Sequence, residues 1–170
     1  VTLTVDGLGQ LGEVAAVGQE VKLAGIDGLQ INVVDTGAIG FDDEIDELLG
    51  TEGLGDLKGL DLQLDLGGSA DNVVVGIDES QAGALINAGL HFAADDTITL
   101  NAETATAGTH LGNSLKELSK LGVDAVSVVG NVGVELGEGA GLGALPSFTD
   151  GANVTLTVDG LGQLGEVAAV

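Results

Sequence analysis

Apolar residues recur at alternate positions in short runs along the chain. The runs are Val1-Thr2-Leu3-Thr4-Val5, Leu29-Gln30-Ile31-Asn32-Val33, Leu62-Gln63-Leu64-Asp65-Leu66, Ile98-Thr99-Leu100-Asn101-Ala102, Val126-Ser127-Val128-Val129 and Val154-Thr155-Leu156-Thr157-Val158. A period of two predicts a strand with one apolar and one polar face. The starts lie about 30 residues apart, which leaves room for a helix in each interval. A further apolar run, Asn72 to Ile77, reads as an extra strand.

Helical signals fill several intervals. Asp78 is placed to cap a helix, with Gln81 at the capping-box position and Gly89 as the stop. Asn113 to Leu121 puts Leu115, Leu118 and Leu121 on one face, ending at Gly122. Asp42 to Leu49 turns Ile45, Leu48 and Leu49 inward and ends at Gly50. Residues 8–17 form a weaker pattern interrupted by Gly, and Glu135 to Ala144 is too rich in Gly to assign. Strand and helix at this spacing suit either a doubly wound sheet or an α/β solenoid. A doubly wound sheet is covered on both faces, so its strands read as continuous apolar runs. Here Thr2, Thr4, Gln30, Asn32, Gln63, Asp65, Thr99, Asn101 and Ser127 would face out. The expected fold is therefore α/β: an open solenoid of about five strand–helix coils, starting near residues 1, 29, 62, 98 and 126. Its parallel sheet has one polar, exposed face.

Residues 1–17, VTLTVDGLGQLGEVAAV, return letter for letter as residues 154–170. Self-similarity at a fixed period marks repeat architectures. Residues 1–153 thus read as one full repeat unit and 154–170 as the start of the next; an engineered overlap is the alternative. The chain begins on Val, without a basic leader, and reads as a piece of a longer one.

Leu57-x-x-Leu60-x-Leu62-x-Leu64 and Leu118-x-x-Leu121 resemble leucine-rich repeats. The Asn that follows the strand in that family has a counterpart only at Asn131. The whole chain, without Arg or Cys and rich in Gly, Asp, Val and Thr, more closely resembles the repeat arrays of giant secreted bacterial adhesins and surface fibres. That resemblance implies an extracellular or cell-surface location and a structural role.

Charge narrows the partners. Lys and Arg total 4 against 27 Asp and Glu, a net charge of −23. Nucleic acid, an anionic membrane surface and phosphorylated substrates all need a basic footprint that is missing here. With no Cys, thiolate chemistry, disulfides and Cys-based metal sites are excluded. No apolar run approaches the length of a membrane span.

Gly7-Leu8-Gly9-Gln10-Leu11-Gly12 fits the dinucleotide fingerprint, with Asp27 near the expected acidic position. A pyrophosphate would enter a strongly negative field with no cation near, so close strand-to-helix turning is the expected role. Gly137-x-Gly139-x-Gly141-x-Gly143 has no Lys after it and is no P-loop. His91, between Leu90 and Phe92, reads as a packed residue at the end of a helix, and His110 lies in a Thr- and Gly-rich loop. Ser114 and Ser119 sit on a helix face without a nucleophile elbow. No catalytic constellation emerges, and the chain is not expected to be an enzyme.

Acidic residues remain. Asp42, Asp43, Glu44, Asp46, Glu47, Glu52 and Asp56 read as a solvated helix face. Asp27, Asp61, Asp96 and Asp124 precede strands, and Asp6 and Asp35 follow them. In a stack of coils these six would form acidic columns. Five coils at about 4.8 Å each put about one negative charge on each ångström of axis, denser than duplex DNA. Calcium, which takes carboxylate and carbonyl oxygens, is the cation that fits. Expected partners are further copies of the unit, with an extracellular surface or a glycan on the Thr/Asn/Gln/Asp face as the alternative. The Thr-x-Thr pairs resemble the ranks of ice-binding solenoids, but Gln30, Asn32, Gln63 and Asp65 break them.

Overall fold

A computed structural model describes residues 1–33, 40–67, 73–102, 109–137, 145–149 and 152–158. The strands are β1 (Thr2–Asp6), β2 (Gly28–Val33), β3 (Asp61–Leu66), β4 (Val74–Asp78), β5 (Leu90–Phe92), β6 (Thr97–Ala102), β7 (Thr109–His110), β8 (Val123–Val128), β9 (Asn131–Glu135), β10 (Ser147–Phe148) and β11 (Asn153–Thr157). The helices are α1 (Leu8–Ala16), α2 (Gly18–Leu23), α3 (Gly40–Leu49), α4 (Glu79–Ala88) and α5 (Leu115–Leu121), with a 3-10 turn at Leu54–Leu57. The fold is mixed α/β with parallel sheets. Two compact units divide it: Val1–Val75 with Ala84–Thr97, and Gly76–Gly83 with Ile98–Val170.

The first unit holds a parallel sheet in the order β1-β2-β3-β5. Alternation in the sequence becomes rows across this sheet. Leu3, Leu29, Leu62 and Leu90 align, as do Val5, Ile31, Leu64 and Phe92. From Leu29 and Ile31 onward these side chains are fully or almost fully buried. Burying a Leu or Ile side chain stabilises by about 1.5–3 kcal/mol, so two such rows dominate the packing. Between them run Thr4, Gln30, Gln63 and His91, and beyond them Asp6, Asn32 and Asp65. Two lysines bind neighbouring segments through backbone carbonyls. Lys22 Nζ donates to the Lys58 carbonyl at 2.9 Å, and Lys58 Nζ to the Asn87 carbonyl at 2.8 Å.

Local signals explain the helices. Asp78 Oδ1 accepts from the Gln81 amide at 2.8 Å while Gln81 Oε1 accepts from the Asp78 amide at 3.1 Å, closing the box at the start of α4. Ser114 and Glu117 close another at α5, which ends at Gly122. Helix α3 buries Ile45 and Leu48 and exposes Asp43, Asp46 and Glu47, but Glu44 is also buried.

The second unit holds two more parallel sheets, β10-β8-β6-β4 and β11-β9-β7. Leu100, Val126 and Phe148 align in the first of these, and Val134 and Leu156 in the second.

The structure departs from the expected pattern in three places. The alternating runs do not form one stack. After β3 the first sheet takes β5, whereas the runs at 98 and 126 join β4 in another sheet. Leu90-His91-Phe92 is too short a run to stand out in the sequence, yet helix α4 stops at Gly89 and the chain extends at once. His91 is therefore on a strand, half-buried, in the polar row. Asp65 does not face water; it is 3% exposed. The Ala93–Asp96 turn folds against the end of β3, with the Ala93 amide on the Leu64 carbonyl at 2.6 Å and Asp96 Oδ2 on the Leu66 amide at 3.0 Å.

Candidate functional site

The polar end of the first sheet carries the densest side-chain network among the described residues. Asn32 Nδ2 donates to Asp6 Oδ1 at 2.7 Å. Gln30 Nε2 donates to Asn32 Oδ1 at 3.2 Å and to Asp65 Oδ2 at 2.8 Å. The strand register makes this possible, since Asp6, Asn32 and Asp65 are successive partners in one row. Asp96 completes the group from its turn, itself only 5% exposed.

Both buried acids are half satisfied. Asp65 Oδ1 and Asp96 Oδ1 are buried and have no hydrogen-bond partner among the described residues. Removing a carboxylate from water without full pairing disfavours its charged form. Burial pushes the Asp65 carboxyl above its ordinary value of 3.8, and the nearby Asp95 charge pushes it further, against the Gln30 hydrogen bond. Burial likewise raises Asp96, with Asp95 and Asp65 adding repulsion, while the Leu66 and Val73 amides oppose the shift. Each is a buried carboxyl with one oxygen lacking a partner among the described residues, an arrangement that favours the protonated form.

The six acids picked out by sequence are dispersed. Asp27 is exposed, and its amide donates to the Val1 carbonyl at 3.0 Å. Asp61 Oδ1 lies 3.6 Å from His91 Nδ1. Asp124 Oδ2 accepts from the Ile98 amide at 2.8 Å. Asp6 is held by Asn32, Asp96 belongs to the buried pair, and Asp35 lies outside the described residues. Among the described residues no three His, Asp or Glu side chains converge as a metal-binding group. Asp96 and Asp124 each accept from an amide of the neighbouring strand, a use that spacing alone does not reveal. Sequence reasoning misses Asp65 as a site residue, because strict alternation sends it outward.

Other motifs resolve simply. At the fingerprint, Gly7 has φ +83° and begins α1, while Gly9 and Gly12 have open space where a Cβ would stand. Only the first glycine is required by the backbone. His110 lies across Gly133, where any Cβ would meet the imidazole ring. Ser114 serves as the cap of α5. Residues 138–144, with most of the second Gly-rich stretch, lie outside the described residues. Phe92 is buried and Phe41 and Phe148 are half-buried, so none offers an exposed stacking ring. No described helix is long and apolar enough to cross a membrane. The chain matches no family model, no curated protein and no solved structure.

Proposed function

We propose that this chain is a structural repeat segment, a stretch of α/β solenoid that acts as an extracellular stalk, fibre or adhesin rod. The observation that carries this reading is the alignment of like side chains across parallel strands: leucine on leucine at positions 3, 29, 62 and 90. Such rows bury each strand's apolar face against its neighbours, and stability then comes from nearest-neighbour stacking. The repeated 17-residue segment extends the same logic from one unit to the next. The chain has no catalytic role in this reading.

Cations stabilise the rod. The support is the net charge of −23, which attracts counterions, together with two buried carboxylate oxygens, Asp65 Oδ1 and Asp96 Oδ1, that lack a hydrogen-bond partner among the described residues. The glycan reading has less behind it. The Gln30 and Asn32 amides are committed to Asn32, Asp65 and Asp6, and the polar rows carry no exposed aromatic ring.

Solution scattering tests the rod. A chain of two units is expected to exceed one unit in maximum dimension by a full unit length, at unchanged cross-section. Growth in all directions, as for a globule, would overturn the reading.

A further inference from the structure

The first five residues of the duplicated segment are described in both copies, against two different neighbours. As β1 it pairs with β2; as β11 it pairs with β9. Residues 1–5 correspond to 154–158. In a parallel pair, the N–H and C=O of one residue point to the same edge and those of the next residue to the other. In β1, the Val1 carbonyl accepts from the Asp27 amide at 3.0 Å and the Gly7 amide donates to the Asn32 carbonyl at 2.9 Å. Val1, Leu3, Val5 and Gly7 therefore face β2. In β11, the Asn153 amide donates to the Gly130 carbonyl at 2.9 Å and the Thr157 carbonyl accepts from the Leu136 amide at 3.0 Å. Asn153, Thr155 and Thr157 therefore face β9. In the first copy, Thr155 and Thr157 are Thr2 and Thr4. The two pairings use opposite edges of one and the same sequence.

Side-chain facing agrees as well. Leu3 and Val5 are less exposed than Thr2 and Thr4, and Leu156 and Val158 less than Thr155 and Thr157. A strand held on both edges would thus keep one face inward throughout. The registers join without a slip: Val134 opposite Leu156 and Leu3 opposite Leu29, Glu135 opposite Thr157 and Thr4 opposite Gln30.

From this we propose that residues 154–158 are a shared strand, bound on one edge by β9 and on the other by the β2 of a second copy of the repeat. This rests on the stalk reading and names the partner, a second repeat, and the residues at the join. An exposed sheet edge is otherwise a template for unplanned pairing; here its occupant is specified by identity of sequence. Val154, still 38% exposed, would be covered by that copy.

A cysteine-free chain allows a direct test. Adjacent strands lie about 4.8 Å apart, within reach of a disulfide. Thr4→Cys with Gln30→Cys in the 170-residue chain calibrates the pairing already described and reports that the unit folds. In a chain continued through a second full repeat, Thr157→Cys is combined with the same Gln→Cys change at the second repeat's counterpart of Gln30. The expected result is an intramolecular disulfide in that chain at a yield matching the calibration pair. Placing the second cysteine at the counterpart of Asn32, two positions on, should cut the yield at least tenfold. A calibration pair that closes while the junction pair stays reduced overturns the proposal, and so does equal yield at both positions. Rod-like scattering from a chain whose junction stays reduced would sink the shared strand and leave the stalk standing. A compact particle whose junction closes would do the reverse.

Discussion

Asp65 shows how a single side chain departs from its pattern. Its neighbours along the row, Asp6 and Asn32, follow alternation toward solvent, exposed and half-buried respectively. Asp65 is covered because a turn about 30 residues later, at Asp95 and Asp96, closes over the strand end. No local reading of Leu62-Gln63-Leu64-Asp65-Leu66 contains that contact. The consequence is a dependence on pH whose sign is fixed. Asp65 and Asp96 both have folded-state pKa values raised above 3.8. The folded state therefore binds protons more tightly than the unfolded chain, and stability falls as pH rises from about 4 through the raised values. In the presence of chelator, Asp65→Asn should melt above the parent at pH 7 and level with it near pH 4. A variant that melts below the parent at neutral pH would show that the charged form is the stabilised one. Gly53 is a simpler case. At φ +80°, with the Ala15 carbonyl oxygen 3.0 Å from where its Cβ would be, it fits no larger residue.

At the scale of elements, legibility follows the length of the signal. The caps of α4 and α5 lie in four-residue motifs, and both form as the sequence suggests. The runs at 1, 29, 62, 98, 126 and 154 all become strands. What the pattern does not contain is their assignment to sheets. That depends on β5, three residues long, and on β9, where Val132 and Val134 alternate within only five residues. Helix α1 is the element where sequence and packing disagree most. Gly12 lies in its interior, and open space surrounds the place of its missing Cβ. Glycine inside a helix costs about 1 kcal/mol relative to Ala. Gly12→Ala should therefore stabilise the chain by about that amount in denaturant titration, with an unchanged slope. A loss of stability would mean the glycine is needed for a contact beyond the single chain.

For the whole molecule, charge dominates. A net charge of −23 opposes compaction, and no Arg and only 4 Lys counter it. Lys22 and Lys58 spend their donors on backbone carbonyls as well. Added cations should therefore stabilise the fold, and the form of the response separates two origins. Calcium that raises the melting midpoint well beyond magnesium at equal ionic strength marks specific sites, and the gain should shrink in Asp96→Asn. Equal effects of calcium, magnesium and matched monovalent salt would reduce the cation to screening. In the sequence the cation reading rests on composition and on six acids at strand ends; the fold gives three of them, Asp6, Asp61 and Asp124, separate partners instead.

The order β1-β2-β3-β5 also has a consequence in time. Within that sheet each strand lies beside its predecessor, about 30 residues back. A chain emerging from its N-terminus meets a finished edge whenever a new strand of this sheet appears. None of these strands must wait for a partner made much later, which is the step that slows most β-rich folds. Synthesis and folding can then advance together, at the same pace and in the same direction.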